Sequence, residues 1–315
     1  LGPPTLYTRD NHDLIGTTRT QGVGGEIAKF ANIASMKSHG FELSVSSNNI
    51  KTKDFSWNTD FIYSIYKNEV TDLNAIATTM DYVSGTGFTM VGYPHRGLFS
   101  IPFAGLDSNG IPMFYNEKGE ITSTDLSFQS SDDFSWLKYE GPTEPTFTGS
   151  LGNSFTYKNV HLNVFFTYSG GNVVRLDPVF SYRYSDLTAT TREFKNRWMV
   201  PGDENRTNVP TILSYRQYYE NAELRNAYSA YNYSTERVAK GGFIRLKEIS
   251  VAYDFPKKWL SALKVSNVSL KLQATNLCLL YADKKLNGQD PEFVNSGGVA
   301  SPVPRQFTMT LRLGL

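Results

Sequence analysis

The sequence predicts an all-β chain that forms part of the wall of a transmembrane antiparallel β-barrel. Apolar and polar residues alternate with period two along most of the chain, as on a strand with one greasy and one wet face. The connections between the alternating segments are short and long by turns, the asymmetry of a membrane barrel with tight inner turns and long outer loops. No stretch reaches the ~18 consecutive apolar residues of a membrane helix. A span, if there is one, must therefore be made of strands, which pair their backbone groups with one another in lipid.

The last segment alternates most clearly. Phe307, Met309, Leu311, Leu313 and Leu315 share one parity, and Gln306, Thr308, Thr310, Arg312 and Gly314 the other; a helix would mix the two sets around its circumference. Residues 6–15 read as a weaker strand. Phe41, Leu43 and Val45 oppose Glu42, Ser44 and Ser46; Phe55, Trp57, Phe61, Tyr63 and Ile65 oppose Ser56, Asn58, Asp60 and Ser64. Residues 98–105 and 111–115 are shorter candidates. Strands follow at 147–157 and 160–168, and again at 268–274. Between 244 and 253 the parity flips, from Ile244 and Leu246 to Ile249, Val251 and Tyr253, so a β-bulge is expected near Lys247-Glu248. That makes about ten strands. The short connections are 50–53, 106–110, 158–159 and 255–266. The long ones are 16–37, 70–97, 116–145, 170–240 and 277–304, and a helix is expected at 220–228. An even strand number puts Leu1 and Leu315 on the same, periplasmic side.

Composition removes several function classes. Lys and Arg number 31 against 30 Asp and Glu, so the excess positive charge of a nucleic-acid surface is lacking. Cys278 is the one cysteine, which excludes an intramolecular disulfide and a cysteine-rich metal site. The opening Leu1-Gly2-Pro3-Pro4 has no initiator Met, and the chain reads as a processed product or a fragment. No domain boundary divides residues 1–315.

Chemistry is sparse. His12, His39, His95 and His161 lack a second ligand at metal spacing, and His161 reads as a polar-face strand residue. A G-x-S-x-G elbow is absent, so no catalytic residue, metal or cofactor is assigned. Asp132-Asp133 and Asp203-Glu204 read as solvated loop acids, with a cation or sugar-hydroxyl contact as the alternative. The 170–240 loop differs in kind. Arg175, Tyr182, Arg183, Tyr184, Trp198, Arg216, Tyr218 and Tyr219 are its candidate ligand or lid contacts, within a wider crowd that includes Arg192, Arg197, Arg206 and Tyr215. Aromatic rings stack on sugars and peptide groups, and Arg forks hold hydroxyls and carboxylates. Tyr, Trp and Arg also anchor protein partners. Folding of the loop onto itself is a third use for the same residues.

Five local patterns then resemble SusC/RagA-type TonB-dependent transporters, in that family's order. They are Lys37-Ser38-His39-Gly40-Phe41-Glu42-Leu43 with Phe55-Ser56-Trp57; Val91-Gly92-Tyr93-Pro94 with residues 103–112; residues 145–159; residues 243–253; and Ala274-Thr275-Asn276-Leu277. The resemblance implies about ten C-terminal strands of a 22-stranded barrel in the outer membrane of a Gram-negative, Bacteroidota-type cell. It implies import of oligosaccharides or peptides, not catalysis. The implied partners are the remaining N-terminal strands and plug on another chain, a SusD-like surface lipoprotein, TonB-ExbB-ExbD and the lipid bilayer, with no nucleic acid. Two rivals remain at this point: a structural or adhesive barrel that transports nothing, and a soluble sugar-binding β-sandwich.

Overall fold

A computed structural model describes residues 3–19, 28–75, 77–126, 128, 133–179, 191–260, 265–294 and 303–314. Its strands are β1 (Thr5–Arg19), β2 (Ala28–Lys51), β3 (Phe55–Leu73), β4 (Gly97–Ser100), β5 (Phe103–Leu106), β6 (Pro112–Tyr115), β7 (Ile121–Thr122), β8 (Lys138–Pro142), β9 (Phe147–Tyr157), β10 (Val160–Gly170), β11 (Val173–Arg175), β12 (Val238–Lys240), β13 (Phe243–Asp254), β14 (Asn267–Ala282) and β15 (Gln306–Gly314). Four short helices join them: α1 (Thr79–Val83), α2 (Tyr215–Glu220), α3 (Ala222–Asn232) and α4 (Lys257–Leu260).

Eight strands form one antiparallel sheet in the order β1-β2-β3-β9-β10-β13-β14-β15. Each pairs with its neighbour in sequence once the long connections are set aside, as in an up-and-down barrel wall. The register lines up the two parities across the sheet. Trp57, Phe155, Leu162, Val251, Leu272 and Met309 form one cross-strand row, and Val45, Phe61, Leu151, Phe166, Leu246 and Cys278 another. Asn58, Ser154, Asn163, Ser250, Gln273 and Thr308 form a row on the opposite face.

Nothing described covers the apolar face. Met309 is 72% exposed, Leu272 51% and Leu311 58%, while Leu270 is half-buried among its cross-strand neighbours. A soluble sandwich buries such a face against a second sheet. Among the described residues no second sheet lies on this one. An outward apolar band is what acyl chains solvate. No described helix is long and apolar enough to cross a membrane, a finding that leaves strand crossings untouched.

The expected bulge is present. The ladder passes from Phe165–Glu248 to Phe166–Leu246 on one side of β13 and from Leu246–Cys278 to Glu248–Thr275 on the other, leaving Lys247 out of both. Across the wall, the Tyr168 ring lies over Gly149, where an added Cβ would meet its hydroxyl oxygen and the Ile62 carbonyl oxygen, both at 2.3 Å. Only a glycine admits this aromatic cover, which also delivers the Tyr168 hydroxyl to Ile62 O at 3.0 Å.

Two expectations are corrected. The wall has eight strands among the described residues, not about ten. Residues 98–105 and 111–115 do not cross with the others; they become β4, β5 and β6 of small separate sheets. All four residues of β4 are buried, so both its faces meet protein and it cannot line a bilayer. The 106–110 connection is a tight turn inside a loop, held by Asp107 Oδ1 accepting from the Asn109 and Ile111 amides at 2.8 Å. Loops 70–97 and 116–145 therefore merge into one excursion, 74–146. The first loop is shorter than expected, because β1 runs to Arg19 and β2 begins at Ala28. The strand count stays even, so the two ends still fall on one side.

The described parts of the excursions 74–146 and 171–242 fold into one cap. Its core holds Tyr82, Val83, Phe99, Ile101, Phe114 and Leu137 from the first and Phe194, Val209, Ala227, Ala230 and Tyr231 from the second. Phe103 meets Tyr231 edge-on at 5.7 Å. The Ile101 amide donates to Tyr233 O at 3.1 Å, and the Thr235 amide donates to Ile101 O at 3.0 Å. The chain's buried hydrophobic clusters thus lie beyond the wall, where apolar side chains escape water by packing on one another.

Candidate functional site

The cap sits on the long-loop end of the wall, and it holds those residues singled out from sequence that the structure describes. Three of them come together on α2. Ser214 caps this helix: its hydroxyl accepts from the Gln217 amide at 3.2 Å, while Gln217 Oε1 accepts from the Ser214 amide at 3.0 Å. Asn221 ends α2 and starts α3, its Oδ1 accepting from the Leu224 amide at 2.9 Å. Arg225 of α3 donates to the terminal carbonyls of α2, Tyr218 O at 2.6 Å and Tyr219 O at 3.2 Å. Buried Leu224, Ala227, Tyr228 and Tyr231 then anchor α3 in the cap core.

This frame presents an aromatic knob. Tyr215 and Tyr219 have ring centroids 4.3 Å apart, and Tyr218 and Tyr219 5.2 Å. The Arg225 guanidinium lies 5.6 Å from the Tyr218 ring. Arg216 is 83% exposed and pairs with Glu220 at 2.8 Å, a contact of little worth to stability at that exposure. Tyr215, outside the first group of candidates, completes the knob at 75% exposed.

The other candidates lie elsewhere. Trp198 is half-buried against Gly110, and its indole donates to Glu204 Oε2 at 2.9 Å. That hydrogen bond holds the Glu204 carboxyl below its usual range. Asp203 Oδ2 accepts from the Met199 and Val200 amides at 3.1 Å, so this acid pair closes a loop. Tyr182, Arg183 and Tyr184 lie outside the described residues. Arg175 is turned inward: it is 6% exposed and donates to Phe99 O at 2.7 Å, Ser234 O at 2.8 Å and Val83 O at 3.1 Å. Its guanidinium ties the two cap excursions together and is not exposed for a ligand or lid. Burial lowers its pKa to about 10, leaving it charged at neutral pH. Arg175→Ala strands three carbonyls in the cap core. We expect about 3 kcal/mol of lost cap stability or more, since each unsatisfied buried group costs roughly 1–3 kcal/mol. Hydrogen exchange over 97–101 and 234–238 checks this.

The polar face of the wall continues under the cap. His161 lies on it near the short-turn end, Nε2 against Asp254 Oδ2 at 2.9 Å and Nδ1 against Thr156 Oγ1 at 3.1 Å. Near the cap, Arg245 of β13 is 2% exposed and donates through one terminal nitrogen to both Asp290 oxygens, at 2.6 and 2.7 Å. Glu292 reaches the same nitrogen at 3.1 Å. This pair fastens the 283–294 strap to the wall, while Gln289 and Asn287 donate to Asp177 at 2.6 Å and Glu193 at 2.7 Å. Sequence reading missed it, because 45 residues separate the partners and no local spacing marks them. Among the described residues no group of three His, Cys, Asp or Glu side chains is placed to hold a metal ion.

Comparison with known proteins bears on both wall and cap. The chain is 25% identical over 311 residues to TonB-dependent receptor P3 of Formosa agariphila, covering 91% of this chain and 28% of that protein. It is 26% identical over 341 residues to the TonB-dependent receptor SusC of Bacteroides thetaiotaomicron, covering 98% of this chain and 29% of that protein. The structure superposes on the RagAB peptide transporter with a TM-score of 0.72 at 20% identity, over 98% of this chain and 32% of that one. The chain is thus similar to TonB-dependent receptors of the SusC type, and it shares the fold of the RagAB transporter. Its place is accordingly the outer membrane, and the eight-stranded sheet is barrel wall. The chain spans about 30% of the length of these curated relatives. No family model matches it.

Proposed function

We propose that this chain supplies wall and outer cap to a barrel that imports oligosaccharides, or peptides, across the outer membrane with energy from TonB-ExbB-ExbD. One observation carries the reading: a single sheet has a continuous apolar face outside, a polar face inside and a protein cap over its long-loop end. Among the described residues the sheet's outer strands, β1 and β15, each have one neighbour. An open strand edge cannot stand in lipid, so the remaining strands and the plug belong to another part of the assembly. A SusD-like lipoprotein fits as the lid, and the α2 knob offers it, or the solute, tyrosine and arginine anchors.

The test is uptake of labelled oligosaccharide by cells carrying the intact receptor, with and without TonB. Uptake that ignores TonB, or no uptake of any oligosaccharide or peptide, would sink the import reading and favour the non-transporting barrel. For the knob, Tyr215→Ala with Tyr219→Ala should weaken lid or solute binding about tenfold or more, in line with aromatic anchors. Unchanged lipoprotein association and unchanged uptake would remove α2 from that role.

A further inference from the structure

Beneath the cap, where wall strands β9, β10 and β13 meet the loop necks, lies a cleft of ≈ 870 Å³. Thr148, Thr167 and Ser169 of the polar face line it, with Asn172, Lys247 and Glu292. Lys247 enters because of the bulge. Left out of both ladders, it adds one side chain to a strand that otherwise keeps strict alternation, and a bulge re-aims a side chain in this way.

Among the described residues no carboxylate is paired with the Lys247 ammonium. The nearby acids are engaged with other cations: Glu292 with Arg245 at 3.1 Å, Glu144 with Arg96 at 3.5 Å and Glu248 with Lys271 at 3.9 Å. Lys247 itself is half-buried at the cleft. A second group points the same way. Asn172 is 9% exposed, and its Oδ1 has no hydrogen-bond partner among the described residues. Its tight seat is built by glycine, since a Cβ on Gly241 would lie 2.3 Å from Asn172 Nδ2. A buried acceptor without a donor is costly, and a ligand hydroxyl would satisfy it.

We propose that this cleft is a subsite for an acidic oligosaccharide, Lys247 taking the uronate carboxylate and Asn172 Oδ1 accepting from a sugar hydroxyl. The inference rests on the import reading above and adds a charge preference to it. The hydroxyl-rich lining favours a sugar chain over a peptide.

Trigalacturonate and its carboxyl-reduced, neutral counterpart are the probes, titrated calorimetrically into the intact receptor in detergent. The receptor should bind trigalacturonate about tenfold more tightly, the scale of one charge-assisted contact. Lys247→Gln should abolish the preference, and Lys247→Arg should keep it. Equal affinities, absence of binding to either sugar, or a preference that survives Lys247→Gln each overturn the proposal. So does a trialanine carboxylate that binds more tightly with the same dependence on Lys247. Loss of the preference with neutral oligosaccharides still imported leaves the import reading standing; loss of all import removes both.

Discussion

Asp290→Ala in the intact receptor should release the 283–294 strap from the wall and cost about 3–5 kcal/mol locally, the usual result of removing one partner from a buried ion pair. Asp290 is fully buried and both its oxygens take the Arg245 guanidinium. Without it, Arg245 keeps only half-exposed Glu292 as a counter-ion and must hold its charge in a site shut off from water. Exchanging the whole pair for apolar residues should cost much less, because no orphan charge remains. Hydrogen exchange over 283–294 distinguishes the cases: rapid exchange is expected in Asp290→Ala. Unaltered protection in that variant would mean that Gln289 and Asn287 suffice to hold the strap.

A second large effect is expected from two adjacent residues with opposite outcomes. Leu151 lies midway along β9, opposite Phe61 and Phe166 on the apolar face. Leu151→Arg should cost about 2–4 kcal/mol, as a cation does near the middle of the lipid-facing band. Ser150, one residue back, faces Ile62 and Thr167 on the polar side. Ser150→Arg should stay within about 0.5 kcal/mol, as polar-side changes away from buried features do. Denaturant unfolding of the receptor in lipid vesicles reads both. Equal losses at the two positions would mean that the apolar face does not meet acyl chains.

The wall was legible because its information is local. Period two in β2, β3, β9, β10, β14 and β15 separates the faces within each strand, and the phase flip at Lys247-Glu248 marked the bulge that the ladder contains. The cap was not legible. In Gly97–Ser100 both faces are buried, so alternation carries no message, and a turn at Asp107 resembles any hairpin turn. Among the candidate residues, composition found the α2 knob but could not tell Arg216 and Tyr219 from Arg175. The first two stand on a helix capped at both ends, while Arg175 meets carbonyls of residues 59 to 92 positions away. Lys247 and Asn172 carried a signal only in the bulge and in the glycines beside Asn172.

The cap's two-part core sets an order of events. Neighbouring wall strands such as β9 and β10 zip from a tight turn, whereas the Phe103 amide reaches Thr235 Oγ1 over a separation of 132 residues. Closing so large a span costs more chain entropy than closing a hairpin. The β9-β10 hairpin lies between the two halves and brings their necks together, so the cap matures last, after insertion. A protease cut within 74–146 would therefore unravel 171–242 as well, while leaving the strands in the bilayer.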